Sequence, residues 1–178
     1  MTPQNQLRKN PGGMTDPIQA FYDADPAGWR PYYYTGHADL GVAVDSLATI
    51  VIQTNFAPYI WTEVAHTIVG DIDDPESSGL KNDGQYLVSV SDNRSNYISS
   101  PTPANNAFGP HKEGQFAPLP IPQFYPSNTG ISIQLQNLYT RVLTPVSETF
   151  RVYFTLRGLS YWGDLKVPQN LMDMSRGA

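Results

Sequence analysis

Four acidic side chains, Asp71, Asp73, Asp74 and Glu76, fall in one turn-rich stretch, DIDDPESSGLKNDG. Hard divalent cations take oxygen ligands from compact loops of this kind. Pro75, however, stands where an EF-hand loop needs a further ligand, and the glycine is out of place. A solvated loop is the expectation, with calcium or magnesium as the alternative. The three histidines, His37, His66 and His111, lie far apart in different contexts, and no two have metal-ligand spacing. His66, close to Trp61 and Glu63 in a strand-like run, reads as a structural histidine. Glu63, Asp92 and Asp164 supply carboxylates that a glycosidase would need as a pair, without a local signature for one. No serine sits in a nucleophile-elbow pattern, and no glycine loop is shaped to cradle phosphate. Trp29, Trp61 and Trp162 could stack on sugar rings, although tryptophan in a sandwich more often serves the core. No catalytic residue, metal site or cofactor is therefore expected, and the chain reads as a non-enzyme.

Bulk chemistry narrows the classes further. The chain has 178 residues, 40% apolar and only 15% charged, against the usual quarter for charged residues. Asn, Gln, Ser, Thr, Pro and Gly take the place of charge, as in many extracellular and virion-surface β proteins. A formal net charge of -5, with scattered Lys and Arg, argues against an electrostatic nucleic-acid surface. Cysteine is absent, which removes disulfides, thiolate metal sites and cysteine nucleophiles and fits a reducing compartment. No signal peptide is expected at the N-terminus, which lacks an apolar core, and no stretch has the apolar length of a membrane span. Asn93-Arg94-Ser95 has the form of a glycosylation acceptor, a motif of little weight without a secretory signal.

The elements that would position any such residues are strands. Ile131, Ile133 and Leu135 alternate with Ser132, Gln134 and Gln136, the period of a half-buried strand. Phe150, Val152, Phe154 and Leu156 alternate with Arg151, Tyr153, Thr155 and Arg157 in the same way. Tyr86, Val88 and Val90 share a face. In YIWTEVAHTIV, Ile60, Thr62, Val64 and His66 are expected on one face, with Trp61, Glu63, Ala65 and Thr67 on the other. Pro118, Pro120 and Pro122 deny the backbone ladder donors, so that segment is expected at a sheet edge, with Leu119 and Ile121 pointing one way. Long irregular insertions are expected around 71–84 and 93–113. Five to eight strands without a persuasive amphipathic helix make an all-β antiparallel sandwich or jelly roll.

Residues 1–39 are expected to form an extended N-terminal arm and residues 40–178 the sandwich. Prolines and glycines interrupt the arm, yet it carries Phe21, Tyr22, Trp29, Tyr32, Tyr33 and Tyr34. Large aromatics anchor well because they bury much area at little rotamer cost. Either the tail folds back over its own domain, or it docks on a neighbouring subunit. The second is the expectation, with those six aromatics, Leu119 and Ile121 as partner-binding residues.

Phe56 and Trp61, the stretch LPIPQFYPSNT, the strand ISIQLQN ending at Asn137, and FRVYFTLRG ending at Gly158 before Tyr161 and Trp162 occur in that order. Over roughly residues 47 to 162 the chain resembles small β-sandwich virion structural proteins of tailed bacteriophages. The resemblance implies many copies, fixed contacts and no turnover. It points to a capsid-associated decoration or cement protein in the virion, assembled in the host cytoplasm. Its expected partners are the major capsid protein, other virion proteins and further copies of itself, with no direct nucleic acid and no membrane. A collar, fibre-base or tail adaptor, and a glycan-binding sandwich, are the alternatives.

Overall fold

The computed structural model describes residues 17–54, 56–69, 86–92, 96–108, 116–138 and 148–174. Eight strands run through them: β1 (Trp29–Gly41), β2 (Leu47–Gln53), β3 (Tyr59–Val69), β4 (Tyr86–Asp92), β5 (Asn96–Pro103), β6 (Ala117–Tyr125), β7 (Gly130–Asn137) and β8 (Thr149–Tyr161). Three short helices accompany them: α1 (Pro17–Ala24), α2 (Ala104–Phe108) and α3 (Gln169–Met174). The strands form two four-stranded sheets, ordered β1-β8-β3-β6 and β2-β7-β4-β5, and each of the six paired ladders is antiparallel. Apart from β4 to β5, consecutive strands cross from one sheet to the other. That connectivity is an eight-stranded jelly roll.

Period-2 alternation fills the space between the sheets. Ile131, Ile133 and Leu135 face inward from β7, and Phe150, Val152, Phe154 and Leu156 from β8, all buried. Tyr86, Val88 and Val90 meet them from β4. His66 is buried among them. Its Nδ1 lies 2.6 Å from the Tyr86 Oη, and its ring stacks on Phe154 at 5.5 Å. The structural role expected for this histidine is thus met by a tyrosine and a phenylalanine of the core.

In β3 the expected alternation breaks. Register shifts between Trp61 and Glu63, so Thr62 is an extra residue, a β-bulge. Tyr59 and Trp61 therefore share the inner face with Val64, His66 and Ile68. Ile60, expected beside Val64, points instead to the opposite side. On β8, opposite the bulge, Gly158 passes so close that an added Cβ would overlap the Ile60 carbonyl. Close backbone approach is what requires glycine there.

The proline segment lies at an edge, since β6 is the outermost strand of its sheet. Between the pairs Trp61–Gln123 and Glu63–Pro118, β3 has one residue and β6 has four. The prolines thus bow the edge out of register. The turn into β7 places Asn128 at φ 58°, a left-handed conformation that asparagine tolerates. Thr54 locks this turn to the end of β2: its N–H donates to the Thr129 carbonyl at 2.8 Å, and its Oγ1 accepts from the Thr129 N–H at 2.7 Å. At the other end of the sandwich, the buried Asn137 amide donates to the carbonyls of Gly41, Val42 and Ala43 at 3.0–3.1 Å. It thereby holds the β1–β2 turn.

Three expectations need correction. The division at residue 39/40 cuts through β1, because the sandwich begins at Trp29 and its first strand pairs with all of β8. Phe21, Tyr22, Trp29 and Tyr34 are buried within the chain itself, so the segment from Pro17 onward is not an extended arm. The stretch 93–113, expected to be irregular, contains β5 and α2. Residues 1–16, the cluster Asp71, Asp73, Asp74 and Glu76, and His111 lie outside the described residues.

Two stability outcomes follow from this packing. Phe154→Ala, which opens a cavity at the centre of the core, is expected to cost about 3–5 kcal/mol, read from urea unfolding; a loss below 1 kcal/mol would contradict that position. Deleting residues 2–35 removes α1 and the first half of β1. The product should lack a cooperative thermal transition, and a folded truncated protein would show that β1 is dispensable.

Candidate functional site

A second, smaller core lies outside the sandwich, against the outer face of the β1-β8-β3-β6 sheet. It begins with the sequence Asp25-Pro26-Ala27-Gly28. Asp25 caps a single 3-10 turn, accepting from the Gly28 N–H at 3.2 Å, with proline at the first position. This turn reverses the chain between α1 and β1. It lays Ile18, Phe21 and Tyr22 over Trp29, Ile60, Phe124 and Tyr161, and Leu171 of α3 completes the cluster. Phe21 packs on Trp29 at 5.2 Å and on Tyr161 at 5.0 Å.

At the rim of this core the chain forms an open concavity of about 410 Å³ between the 3-10 turn and the residues following β8. Asp25, Gly28, Arg30, Trp162 and Asp164 line it. The framework is tied by specific bonds. Trp162 donates its N–H to the Gly28 carbonyl at 2.7 Å. The Tyr161 hydroxyl donates to Asp25 at 2.8 Å and accepts from the Leu165 N–H at 3.0 Å. Gly28 and Gly163 leave no room for a Cβ, which would meet Tyr161 and Asp25 atoms at 2.3–2.6 Å. Burial, reinforced by the bond to Asp25, raises the affinity of the Tyr161 phenol for its proton. The Trp162 ring is 51% exposed.

The two outer sheet faces differ in chemistry. On the β1-β8-β3 face, Asp39 and Arg151 form a two-point pair at 2.6 and 2.9 Å, which holds the Asp39 carboxyl below its usual range. Glu63 and Arg157 pair at 2.9 Å on the same face. The paired rows of the other face hold no charged residue: Leu47–Gln136–Leu87, Thr49–Gln134–Ser89 and Val51–Ser132–Ser91. Asp45, just ahead of β2, reaches their rim and accepts from the Gln136 side-chain amide at 2.8 Å. Leu47 is 75% and Val51 66% exposed there. The edges differ too. Pro31 lies in β1, Pro101 and Pro103 in β5, and Pro118, Pro120 and Pro122 in β6, whereas β2 has neither proline nor charge. An edge strand without such guards is open to pairing.

Of the residues expected to bind a partner, Phe21, Tyr22, Trp29 and Tyr34 are buried in this chain, and Tyr32 is half-buried against the main core. Tyr33 is exposed, 6.0 Å from Phe116, with the Arg157 guanidinium over both rings. Leu119 packs on the core and lines a separate apolar cavity of about 220 Å³ beside Trp61 and Phe108. The side chain of Ile121 lies outside the described set. The burial that the aromatics demanded is therefore met mainly at home. Of the three tryptophans, Trp29 and Trp61 are buried and Trp162 alone is exposed. Glu63 sits on one outer face, Asp92 ends β4 with the Tyr97 hydroxyl bonded to it at 2.9 Å, and only Asp164 lines the concavity. Among the described residues no group of three or more His, Asp or Glu could hold a metal ion.

Sequence inspection passed over Asp25, Gly28 and Arg30, although Asp-Pro ahead of a glycine is a cap-and-turn signal. It also passed over Leu47 and Val51, whose phase opposite Ile50 and Ile52 marks them as outward. No protein-family model matches the chain, and no curated protein matches it.

Alkali tests how far Tyr161 and the core tyrosines hold this architecture. Burial raises the phenols of Tyr59 and Tyr125 as well. A folded value above the unfolded one, about 10, means the folded state keeps protons that the unfolded state releases. Their stability contribution is therefore complete below pH ~10 and is lost as pH rises through the folded values. Phenolate absorbance should show a fraction of tyrosines ionising only together with unfolding. Independent ionisation of every tyrosine near the ordinary value would contradict this.

Proposed function

We propose that this chain is a non-enzymatic structural protein of a tailed-bacteriophage virion, a capsid-associated decoration or cement protein that ties neighbouring subunits together. The observation that carries the reading is the outer face of the β2-β7-β4-β5 sheet, whose paired rows hold no charged residue and whose nearest carboxylate, Asp45, sits at its rim bonded to Gln136. This face is continuous with the unguarded edge of β2. Two copies of a chain with net charge -5 repel over most of their surface. Contact through the uncharged rows of that face lessens the repulsion, and it strips water from few charges that would then need partners. Exposed Leu47 and Val51 supply apolar area, while the glutamines and serines around them offer hydrogen bonds in both directions. Jelly rolls serve repeatedly as shell-building units and as lectin-like modules, and the ordered motifs of residues 47 to 162 favour the phage virion among these settings.

In this reading, partners are the capsid protein and other virion proteins, and the site of action is the virion assembled in the host cytoplasm. Phage carrying Leu47→Lys and Val51→Lys in this gene test it. Both side chains are exposed, so the purified variant should unfold within about 0.5 kcal/mol of the parent. Its copy number in purified particles should fall at least tenfold. Normal incorporation would overturn the assigned face. An electron-microscopy map that places the chain at a collar or tail would replace the decoration role with that of an adaptor.

A further inference from the structure

The concavity beside Trp162 is not needed for lateral contact through the β2 face, and its chemistry is of another kind. Trp162 is half-exposed to water, its backbone N–H donates to the Gly28 carbonyl, and two glycines that admit no side chain lie beside it. The backbone that carries the ring is therefore fixed in place, which limits what must be ordered on binding to the side chain itself. Asp25 has two of its acceptor positions filled, by the Tyr161 hydroxyl and the Gly28 N–H. A carboxylate offers about four in all, so others remain for a ligand. No hydrogen bond or ion pair among the described residues engages the Asp164 carboxylate or the Arg30 guanidinium, and both line the same concavity. Its volume, about 410 Å³, falls within the range of small-ligand sites.

We infer that this concavity binds a neutral saccharide. The C–H face of a pyranose packs on the Trp162 ring, burying apolar area on both partners. Its hydroxyls donate to Asp25 and Asp164 and accept from Arg30. A sugar hydroxyl is both donor and acceptor, and this site presents both complements around one aromatic plate. The two carboxylates outweigh the single guanidinium, which disfavours acidic sugars. Arg30 in turn disfavours a quaternary ammonium, which an aromatic ring and carboxylates would otherwise attract. Recognition here is independent of the proposed lattice contact, so a virion protein could carry it on its outward end.

A printed array of neutral, sialylated and sulfated glycans, probed with the full chain, provides the test. Titration of the best neutral oligosaccharide, and of its terminal monosaccharide, then follows by calorimetry. Retention of neutral glycans is expected, with sialylated and sulfated ones excluded. Trp162→Ala should weaken binding by about tenfold or more, a loss of about 1.4 kcal/mol. Asp164→Asn should weaken it severalfold, and Trp162→Phe should retain most of it. Thermal midpoints of all three variants should match the parent, because the altered side chains are exposed. Binding of the monosaccharide alone marks a single-residue site, and a gain with the oligosaccharide marks a polymer such as a cell-surface glycan; both support the inference. Absence of retention at millimolar sugar, preference for acidic glycans, displacement by choline, or undiminished binding by Trp162→Ala would each overturn it. The lattice-contact reading stands or falls separately, on Leu47 and Val51.

Discussion

The close approach of Gly158 to the Ile60 carbonyl, beside the bulge at Thr62, is the constraint on which the two cores depend. A strand with strict alternation can serve one interior only. By inserting one residue, β3 keeps Tyr59 and Trp61 in phase with Val64, His66 and Ile68, while Ile60 is delivered to the outer cluster beneath α1 and α3. The adjoining strand must then approach more closely than a side chain permits. Any residue with a Cβ at 158 would push β8 away from β3. Because β8 is also the partner of β1, that displacement would reach the first strand as well.

Charge is distributed with the same economy. The helix-free part of the β1-β8-β3 face carries paired carboxylates and guanidinia. Asp39 and Arg151 are both half-exposed, so that pair is worth little by itself, whereas the Glu63 side chain of the other pair is only 12% exposed. These pairs keep that face soluble and deter sheet-on-sheet stacking. The opposite face has no such deterrent, and prolines protect three of the four sheet edges while sparing β2. A protein selected only for remaining solitary would be expected to guard all four edges. The asymmetry is what gives the assembly reading its direction, and it sets Leu47 and Val51 apart from scattered surface leucines and valines, which need no explanation.

The architecture was legible wherever alternation was uninterrupted. The phases of β4, β7 and β8 follow directly from their apolar positions, and three closely spaced prolines announced an edge. The failures have local physical causes. The inserted Thr62 reverses the phase midway along β3, and nothing in YIWTEV distinguishes a bulge from a continuous strand. In the segment RPYYYTGHADLG, proline and two glycines mask β1, since both residue types are poor strand formers; its pairing with β8 overrides that preference. The aromatics ahead of it were rightly seen to demand burial, but composition cannot say whose surface satisfies them. The Trp162 concavity joins residues more than 130 positions apart, held together by a hydroxyl-to-carboxylate bond, and long-range proximity of that sort leaves no mark on local pattern.

The pairing of β1 with β8 also sets the order in which this molecule can be made. Ribosomal synthesis releases β1 early, and its ladder partner among the described residues, β8, emerges more than a hundred residues later. Until then the sheet lacks the strand that lies between β1 and β3. Contacts of such sequence separation are slow to form, because a long chain must be closed before any of them is rewarded. Completion of this sheet therefore waits for β8 rather than proceeding strand by strand. For most of that interval, until β7 emerges shortly before β8, the uncharged β2 strand is present without its neighbour, a hazard that grows with expression level. The rate at which nascent chains close on β8, as much as the stability of the finished fold, would then limit how many copies a cell can accumulate.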